Sequence, residues 1–546
     1  MTILTLNRKE LEKEVGKITP ELERKITEMG TPVEEITEEE VSVEVFPNRP
    51  DLLSLQNFAR ALNQFNEKKG VAKFNIYPPE KGYDVIIEKA VKKVRPYTAC
   101  AIVKGIKFDD EKIKEIVDIQ EKLHNSVGRK RKKLAIGVYP LEKIKLPIKF
   151  TARKPEDIRF VPLEYPREIN GRQILRQHPT GREYADLLKD AEVYPIFVDA
   201  NEKILSMPPI INSEETGRII ENTKDIFIEC SGHSLYHLKK VISIIVSALY
   251  EMGGKVYSMN IKDSKESFVS PEMNFEEMEF KLEDIEKTLG IKLSEKEIKK
   301  YFERMGLGFE KKKERTFALI PPYRMDILHW VDLVEEVAIA YGYQNFEPEI
   351  PKISTIAEED KNSRKKKIIS EILAGLGFLE VSSFHLTTER NVKKMHYNYS
   401  SFIEVENSKT ERDVLRIDLL TNLLQIFSEN SNSTYPQKIF EMGKVFSLDD
   451  GLETKVKETE NLAVAFVDEK VNFTDMKQVL DYLFKMLGVN YTIEAEENNN
   501  YISGRCAKIF VEGKQVGFVG EIAPRVLKNW KIKMPVVAVE IGLEAI

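Results

Sequence analysis

Hydrophobic and polar positions along the chain fall into short blocks whose period changes several times. In the first 85 residues, helical spacing of apolar side chains predicts a helix over 11–29 and another over 52–65. Between them, alternating valines at 41–45 predict a strand, which ends at the first of two prolines. The opening segment, residues 1–85, is therefore expected to form a small mixed module of its own.

The turn after that strand reads Asn-Arg-Pro-Asp at residues 48–51. Proline and short polar side chains make this a rigid turn, and its simplest role is to begin the next helix with Asp51 as the capping carboxylate.

Residues 86–262 alternate short strands, such as 101–103 and 226–228, with helices such as 235–252, which is a mixed α/β pattern. Five consecutive basic residues at 129–133 offer positive charge to phosphate. The alternative is a solvated run of charge with no ligand.

A third segment, residues 270–346, places two short helices at 280–290 and 295–306 before a strand at 317–320, which resembles a helix-turn-helix with a wing. After two prolines, residues 350–546 form a last domain. The expected fold is thus multidomain α+β, with four successive segments.

Four carboxylates are concentrated at the end of the third segment. A helix predicted over 331–343 carries three of them on what is expected to be one face, and the fourth enters from the preceding loop; they are Asp326, Asp332, Glu335 and Glu336. Oxygen ligands without cysteine favour magnesium or calcium over zinc. The alternative is an acidic face paired with Arg324 or with the lysines at 311–313.

Composition excludes some classes of protein. The 546 residues carry a net charge of −6, which excludes a uniformly polycationic nucleic-acid binder, so any RNA contact must use local patches and no DNA partner is expected. Three widely spaced cysteines are typical of a reducing cytoplasm. No apolar run reaches membrane-spanning length, so a cytoplasmic protein without a membrane partner is expected.

Several motifs resemble the beta subunit of phenylalanyl-tRNA synthetase, of archaeal and eukaryal type, in family order. They are Asn-Arg-Pro-Asp-Leu at 48–52, LHNSVGRKRKKLAIG at 123–137, HPTGREYADLL at 178–188, and the run from Tyr-Arg-Met-Asp-Ile at 323–327 to Tyr-Gly-Tyr at 341–343. The resemblance implies Mg²⁺ at Asp326, Asp332, Glu335 and Glu336. This sequence departs from the family at Ile339, where the family usually has an arginine.

The resemblance extends through the last domain, in LRIDLLTNLLQIF from 415, KIFEMGKVF from 438 and VGFVGEIAP from 516. It implies a class II synthetase-like antiparallel sheet with flanking helices. A working class II site would lead from a glycine-rich strand into Glu-Arg, whereas Glu521 is followed by Ile-Ala-Pro-Arg. A copy that does not catalyse aminoacylation is expected, with ATP, phenylalanine and the tRNA end bound by an alpha partner in an α2β2 heterotetramer.

An editing domain is implied by YPIFVDANEKILSMPPIINSE at 194–214 and IFIECSG at 226–232. The implied editing residues are Phe197, Ser206, Asn212, Glu229 and Ser231. A buried Glu229 carboxylate would accept the phenol of a wrongly attached tyrosine, which phenylalanine cannot offer. Its alternative is a strand residue facing solvent, and His233 and His237 are expected at the surface.

The expected function is that of the beta subunit of phenylalanine–tRNA ligase, whose reaction converts ATP, phenylalanine and tRNA(Phe) to phenylalanyl-tRNA, AMP and diphosphate. This chain is expected to bind tRNA, to support assembly and to hydrolyse tyrosyl-tRNA(Phe). Two alternatives are a deacylase that edits in trans without a partner and a stand-alone nucleic-acid-binding protein.

Overall fold

The computed structural model describes residues 2–263 and 267–545 and divides into two compact units, Met1–Ile350 and Pro351–Ile546. Met1 and Ile546, which end the first and last predicted segments, lie outside the described residues. None of the helices in the described part of the chain is long and apolar enough to cross a membrane.

A three-stranded antiparallel sheet and three helices open the first unit. The strands, in the order β1-β3-β2, are β1 (Thr2–Asn7), β2 (Val33–Ile36) and β3 (Glu40–Val45), and the helices are α1 (Arg8–Val15), α2 (Pro20–Glu28) and α3 (Leu55–Phe65). The strand predicted over 41–45 is confirmed. The single helix predicted over 11–29 is wrong, because Gly16 adopts a φ of +95° and Pro20 starts a second helix capped by Thr19.

The predicted helix cap at Asp51 is also wrong. Helix α3 begins after Ser54, whose hydroxyl accepts a hydrogen bond from the amide of Asn57 at 3.3 Å. Asp51 is buried and accepts hydrogen bonds from Arg49 instead.

A ten-stranded sheet forms the middle of the first unit, in the order β12-β11-β10-β7-β4-β14-β5-β13-β6, with β15 paired to β14. Its strands are β4 (Asp84–Ile87), β5 (Tyr97–Lys104), β6 (Leu134–Pro140), β7 (Ile148–Arg153), β10 (Tyr194–Val198), β11 (Ile204–Met207), β12 (Ile211–Asn212), β13 (Ile226–Gly232), β14 (Lys255–Lys262) and β15 (Phe268–Ser270). A separate pair is β8 (Arg159–Phe160) with β9 (Ile169–Asn170). Because β4 belongs to this sheet, the predicted boundary after residue 85 cuts a strand.

The helices of this region are α4 (Asp110–Asn125), α5 (Gly171–Gln177), α6 (Pro179–Glu183), α7 (Glu214–Gly217) and α8 (Leu235–Glu251). Alternation along β13 sends Ile228 and Cys230 into the core shared with α8, and Phe227 into a second core on the other face. Glu229 and Ser231 therefore lie on the face of Phe227.

The third module has a second three-stranded sheet, in the order β16-β18-β17. Its elements are β16 (Glu276–Phe280), α9 (Leu282–Leu289), α10 (Glu295–Arg304), β17 (Gly308–Lys312), β18 (Arg315–Ile320) and α11 (Trp330–Tyr341). Ser294 and Glu297 form a capping box at the start of α10. The predicted helices and strand are present, and Val334, Val337 and Ala338 of α11 are buried as expected.

The second unit is built on a seven-stranded sheet, in the order β19-β22-β23-β27-β26-β25-β24, antiparallel except where β19 meets β22. Its elements are α12 (Lys361–Gly375), β19 (Leu379–Glu380), β20 (Leu386–Thr387), α13 (Glu389–Met395), β21 (Val414–Leu415), α14 (Leu420–Glu429), β22 (Gln437–Leu448), β23 (Val456–Val467), α15 (Phe473–Leu487), β24 (Tyr491–Ala495), β25 (Tyr501–Val511), β26 (Lys514–Ile522), α16 (Pro524–Asn529) and β27 (Val536–Gly542). Helices α14 and α16 share a core with one face of the sheet, and α12 and α15 share one with the other.

Two arginines, one in the N-terminal module and one in the third module, lie close enough for their charges to interact. Arg49 donates to both oxygens of Asp51 at 2.9 Å, and Arg324 donates to both oxygens of Asp326 at 2.8 and 2.7 Å. Arg324 also donates to Glu336 at 3.0 Å. We call these five residues the arginine network.

The two Arg-x-Asp pairs lie beside each other. Burial and the charge of Arg324 lower the pKa of Arg49, but Asp51 and Asp326 more than offset them, so that this pKa is raised. Around the network, Arg60 lies 4.4 Å from the ring centroid of Tyr323. Each charge of the network therefore has a partner within its own module, as buried charges require.

Replacing Arg324 by methionine is expected to destabilise the first unit by about 3–5 kcal/mol, because it leaves two buried carboxylates without their cation. Urea unfolding of the chain measures the loss. The matched control is Arg315→Met, which removes an arginine whose partner Glu279 is largely exposed, and little or no loss is expected there. Equal losses in the two variants would contradict the role given to the network.

Candidate editing pocket and acidic cluster

A cavity of about 310 Å³ lies between strands from the two ends of the ten-stranded sheet, β11 and β12 at one end and β13 and β6 at the other. Three of the predicted editing residues line it: Glu229 from β13, Ser206 from β11 and Asn212 from β12. Strands β11 and β12 are antiparallel neighbours that place Ser206 opposite Asn212.

Glu229 is held at the base of the cavity. Its strand is paired on both sides, with Gly137 of β6 and Cys100 of β5 as its neighbours, and only 2% of the residue is exposed. A Cβ atom at Gly137 would lie 2.7 Å from Glu229 Oε1 and 2.2 Å from the Tyr139 hydroxyl. Glycine at 137 therefore provides the space in which the Glu229 carboxyl lies.

Tyr139 links the three lining residues. Its hydroxyl lies 2.8 Å from Ser206 Oγ, 3.3 Å from Glu229 Oε1 and 3.4 Å from Asn212 Oδ1. The other carboxyl oxygen, Glu229 Oε2, is buried without a hydrogen-bond partner in the described residues. Since buried polar atoms are normally paired, Oε2 is an acceptor with unused capacity for a hydrogen bond.

The electrostatics of Glu229 follow from its burial. Desolvation raises the pKa of Glu229 to about 8, against the lowering effects of the Arg95 charge and of the nearby Ser231 and Tyr139 hydroxyls. The carboxyl is thus largely protonated at neutral pH and ionises as the pH rises through about 8. The alternative of a solvent-facing Glu229 is wrong.

Ser231 and Phe197 do not line the cavity. Arg95 donates to the Ser231 hydroxyl at 3.0 Å and to its carbonyl oxygen at 2.6 Å, so Arg95 fixes the position of this serine outside the cavity lining. Phe197 is buried and stacks on Phe150 with ring centroids 4.3 Å apart. It is the cross-strand neighbour of Ser206, so it supports the pocket through packing.

One wall of the cavity is fixed by Arg131, a member of the basic run. Arg131 donates to Glu121 at 2.6 Å and to the carbonyl oxygen of Ile210 at 2.9 Å. The hydrogen bond from His124 and the charge of Arg131 lower the pKa of Glu121 to about 2. The prediction that the whole run meets phosphate or solvent is therefore wrong for Arg131, which connects α4 to the loop after Met207.

The histidine in this wall is not available as a base. His124 Nε2 accepts from the amide of Ile136 at 2.8 Å, and Nδ1 lies 3.2 Å from Glu121. Burial lowers the pKa of His124, so the ring is neutral with its proton on Nδ1. His233 is exposed and His237 bonds to Ser234, and neither lines the cavity.

Sequence reasoning missed Tyr139, Arg95 and Gly137. Gly137 and Tyr139 are two positions apart on β6, so strand alternation places both on the face of Glu229 once the pairing of β6 with β13 is known. Arg95 lies outside any regular strand and gives no such signal.

The four predicted metal ligands do not share one surface. Asp326 and Glu336 are paired with Arg324 in the arginine network, whereas Asp332 accepts from the amides of Leu328 and His329 at the start of α11. Glu335 is exposed, because adjacent helical positions point about 100° apart. The single acidic face is thus wrong, and pairing with Arg324, the alternative, is observed.

In this arrangement the four side chains do not fit a magnesium ion, since a guanidinium already occupies the space between two of them. Within residues 2–263 and 267–545, no three or more Asp, Glu, His or Cys side chains are grouped to hold a metal. The assignment of magnesium to these carboxylates stays a prediction.

Comparisons with known proteins agree with this architecture. Residues 278–343 match the family described as "tRNA synthetase B5 domain", and residues 347–543 match "Phenylalanyl tRNA synthetase beta chain CLM domain". The "Phenylalanine--tRNA ligase beta subunit" of Thermococcus sibiricus is 38% identical over 91% of this chain and 89% of that protein. The protein of the same name from Archaeoglobus fulgidus is 34% identical over 100% of this chain and 98% of that protein.

Among solved structures, an N-terminal fragment of the phenylalanyl-tRNA synthetase beta-subunit from Pyrococcus horikoshii covers 62% of this chain and 99% of its own, at 32% identity and a TM-score of 0.59. With more than a third of positions shared across nine-tenths of the chain, this protein belongs to the family of phenylalanine–tRNA ligase beta subunits.

Proposed function

We propose that this chain is the beta subunit of a cytoplasmic phenylalanine–tRNA ligase and that the cavity around Glu229 hydrolyses tRNA(Phe) wrongly charged with tyrosine. The observation that carries the editing role is the buried, unpartnered Glu229 Oε2 at the base of the cavity. A tyrosine phenol reaching this atom completes its hydrogen bonding, whereas a phenylalanine ring leaves it unpaired.

This arrangement supplies selectivity where apolar packing cannot. A hydrophobic pocket rejects an added hydroxyl by only about a hundredfold, whereas a site built to bond a hydroxyl rejects the analogue without it by about 10⁴–10⁵. A pocket that selects tyrosine for hydrolysis therefore corrects the error that a phenylalanine-binding pocket makes.

The hydrolysis itself is a transfer of the acyl group to water. A water oxygen adds to the ester carbonyl, the bond to the ribose oxygen breaks, and that oxygen takes up a proton. Because His124 has both ring nitrogens engaged, we assign this chain the task of binding and orienting the ester, with water positioned by backbone and substrate groups.

The second unit supports the subunit assignment. At the end of β26, Glu521 accepts from the amide of Phe473 at 2.8 Å and from Arg505 at 2.6 Å, and Pro524 then begins α16. A carboxylate engaged as a helix cap is not free for a substrate. We therefore propose a class II-like domain that does not make the adenylate, with ATP and phenylalanine bound by an alpha subunit in an α2β2 heterotetramer.

Four modules follow from this proposal: an N-terminal module to about residue 85, an editing domain over 86–262, a helix-turn-helix-like module over 270–346 and the class II-like domain over 350–546. A matching family domain over 278–343 supports the third. A trans-editing deacylase would clear tyrosyl-tRNA fully without an alpha chain, which distinguishes it from the subunit.

Glu229→Ala is expected to impair clearance of tyrosyl-tRNA(Phe) by at least about tenfold, because a buried acceptor of the phenol is lost, while tRNA binding changes little. Single-turnover deacylation and filter binding on the assembled ligase measure the two. The control is Glu335→Ala, which removes an exposed carboxylate that does not line the cavity. Unimpaired clearance by Glu229→Ala would remove this residue from the mechanism.

Tyr139→Phe tests the residue that holds Glu229 Oε1. The Tyr139 hydrogen bond lowers the pKa of Glu229, so its loss raises that pKa further above about 8. Since the ionised carboxyl is the stronger acceptor, the preference for tyrosyl over phenylalanyl ester should rise with pH through the pKa of Glu229, and this rise should move to higher pH in Tyr139→Phe. An unshifted profile would limit Tyr139 to packing.

Magnesium at the acidic cluster is tested separately. If the four carboxylates bind Mg²⁺, replacing Glu335 and Glu336 together by glutamine is expected to abolish the rise in melting temperature on adding Mg²⁺. Thermal unfolding with and without Mg²⁺ measures it, with Glu314→Gln and Glu310→Gln on the β17–β18 hairpin as the charge-matched control. A rise equal to that of the unaltered protein would overturn the assignment.

A further inference from the structure

A second cavity, of about 610 Å³, lies between the N-terminal module and the loop that follows α4. It is separate from the editing pocket, with which it has no lining residue in common. Its polar and basic lining includes Asn48, Lys122, Asn125, Ser126, Arg129 and Lys133. We call it the basic cleft.

The cations of the basic cleft are open to a ligand. Lys122 pairs with Asp118, but within the described residues neither Arg129 nor Lys133 has a carboxylate at ion-pair distance, and both are exposed. The carboxylate in the lining, Asp326, is bound by Arg324 in the arginine network. The cleft therefore presents net positive charge on a chain whose net charge is −6.

The loop that carries these cations has an unusual backbone conformation. Arg129, Lys130 and Arg131 take φ values of 48°, 52° and 63°, three successive residues in a left-handed conformation that side chains other than glycine rarely adopt. Gly128 allows the turn, since a Cβ there would lie 2.5 Å from the His124 carbonyl oxygen. Backbone strain of this kind is typical of functional loops.

The same turn directs residues of the basic run into two different cavities. Arg131 faces the editing pocket and fixes its wall through Glu121 and Ile210, while Arg129 and Lys133 line the basic cleft. One loop thus belongs to both cavities.

The chemistry of the cleft identifies its ligand as a polyanion with oxygen acceptors. Guanidinium and ammonium groups stand beside the amides of Asn48 and Asn125 and the hydroxyl of Ser126, all of which donate to phosphate oxygens. An open cleft of this size exceeds a single phosphate and suits several consecutive phosphodiesters. We propose that the basic cleft binds the phosphodiester backbone of the tRNA whose aminoacyl end enters the editing pocket, a proposal that rests on the proposed editing function.

The test replaces Arg129 and Lys133 together by glutamine in the assembled ligase and measures binding of a tRNA(Phe) transcript across a series of salt concentrations. Loss of two phosphate contacts is expected to reduce the slope of log K against log salt by about 2 and to weaken binding at least about tenfold near 0.1 M salt.

The matched control is Lys130→Gln with Lys132→Gln, which makes the same change of charge in the same loop at positions outside the cleft lining. In this control, the slope of log K against log salt is expected to change by less than half of the change expected for Arg129→Gln with Lys133→Gln. Equal effects in the two variants would overturn the cleft in favour of a diffuse basic surface, and an unchanged slope in Arg129→Gln with Lys133→Gln would overturn it outright.

Failure of the cleft and failure of editing are distinguishable. The cleft variant is expected to raise the tRNA concentration needed for half-maximal clearance of tyrosyl-tRNA, whereas Glu229→Ala is expected to lower the maximal rate. Unaltered clearance in Glu229→Ala with a reduced salt slope in the cleft variant would remove the editing role and keep the RNA site. Slower clearance without a change in tRNA affinity would overturn the cleft proposal.

Discussion

The arginine network is the constraint on which the first unit depends. Two turns more than 270 positions apart in sequence each place an arginine two residues before an aspartate, and the charges of the two pairs lie close enough to interact. Burying such charges is unfavourable unless every one is paired, so the third module must fold with Arg324 against both Asp326 and Glu336. The same pairing neutralises Asp326, the carboxylate that borders the basic cleft. The two modules themselves meet where Arg304 donates to the Phe65 carbonyl oxygen at 2.9 Å and where Arg60 lies over the Tyr323 ring.

The proposed editing pocket depends on a different feature, a buried side chain with one unpaired oxygen on a strand whose backbone is fully paired. Strand β13 has partners on both sides, so its backbone is satisfied and rigid, while the Glu229 side chain keeps one oxygen unpaired. Tyr139 bonds to Glu229 Oε1 and Arg95 bonds to Ser231. Glu229 Oε2 is therefore the oxygen that a phenol can recognise. Rigidity around a single open acceptor is what selectivity for one hydroxyl requires.

Much of the fold was predictable because its periodicity is strong. The helix at 235–252 and the strand at 41–45 have clear apolar patterns, and both appear within one residue of the predicted bounds. Ser206, Asn212 and Glu229, taken from the family resemblance, meet in one cavity. Helix 11–29 failed because the positive φ of Gly16 is a backbone property that periodicity does not show. The acidic face failed because the burial of Glu336 depends on Arg324, whose docking is set by tertiary contacts.

The most direct test of the account is a crystal structure of the ligase with a non-hydrolysable tyrosyl ester analogue of the tRNA 3′ adenosine. We expect the phenol oxygen within about 3 Å of Glu229 Oε2, the distance of a hydrogen bond, with the Tyr139 hydroxyl still beside Oε1. A tyrosyl ring bound elsewhere, or one whose hydroxyl points to solvent, would contradict it.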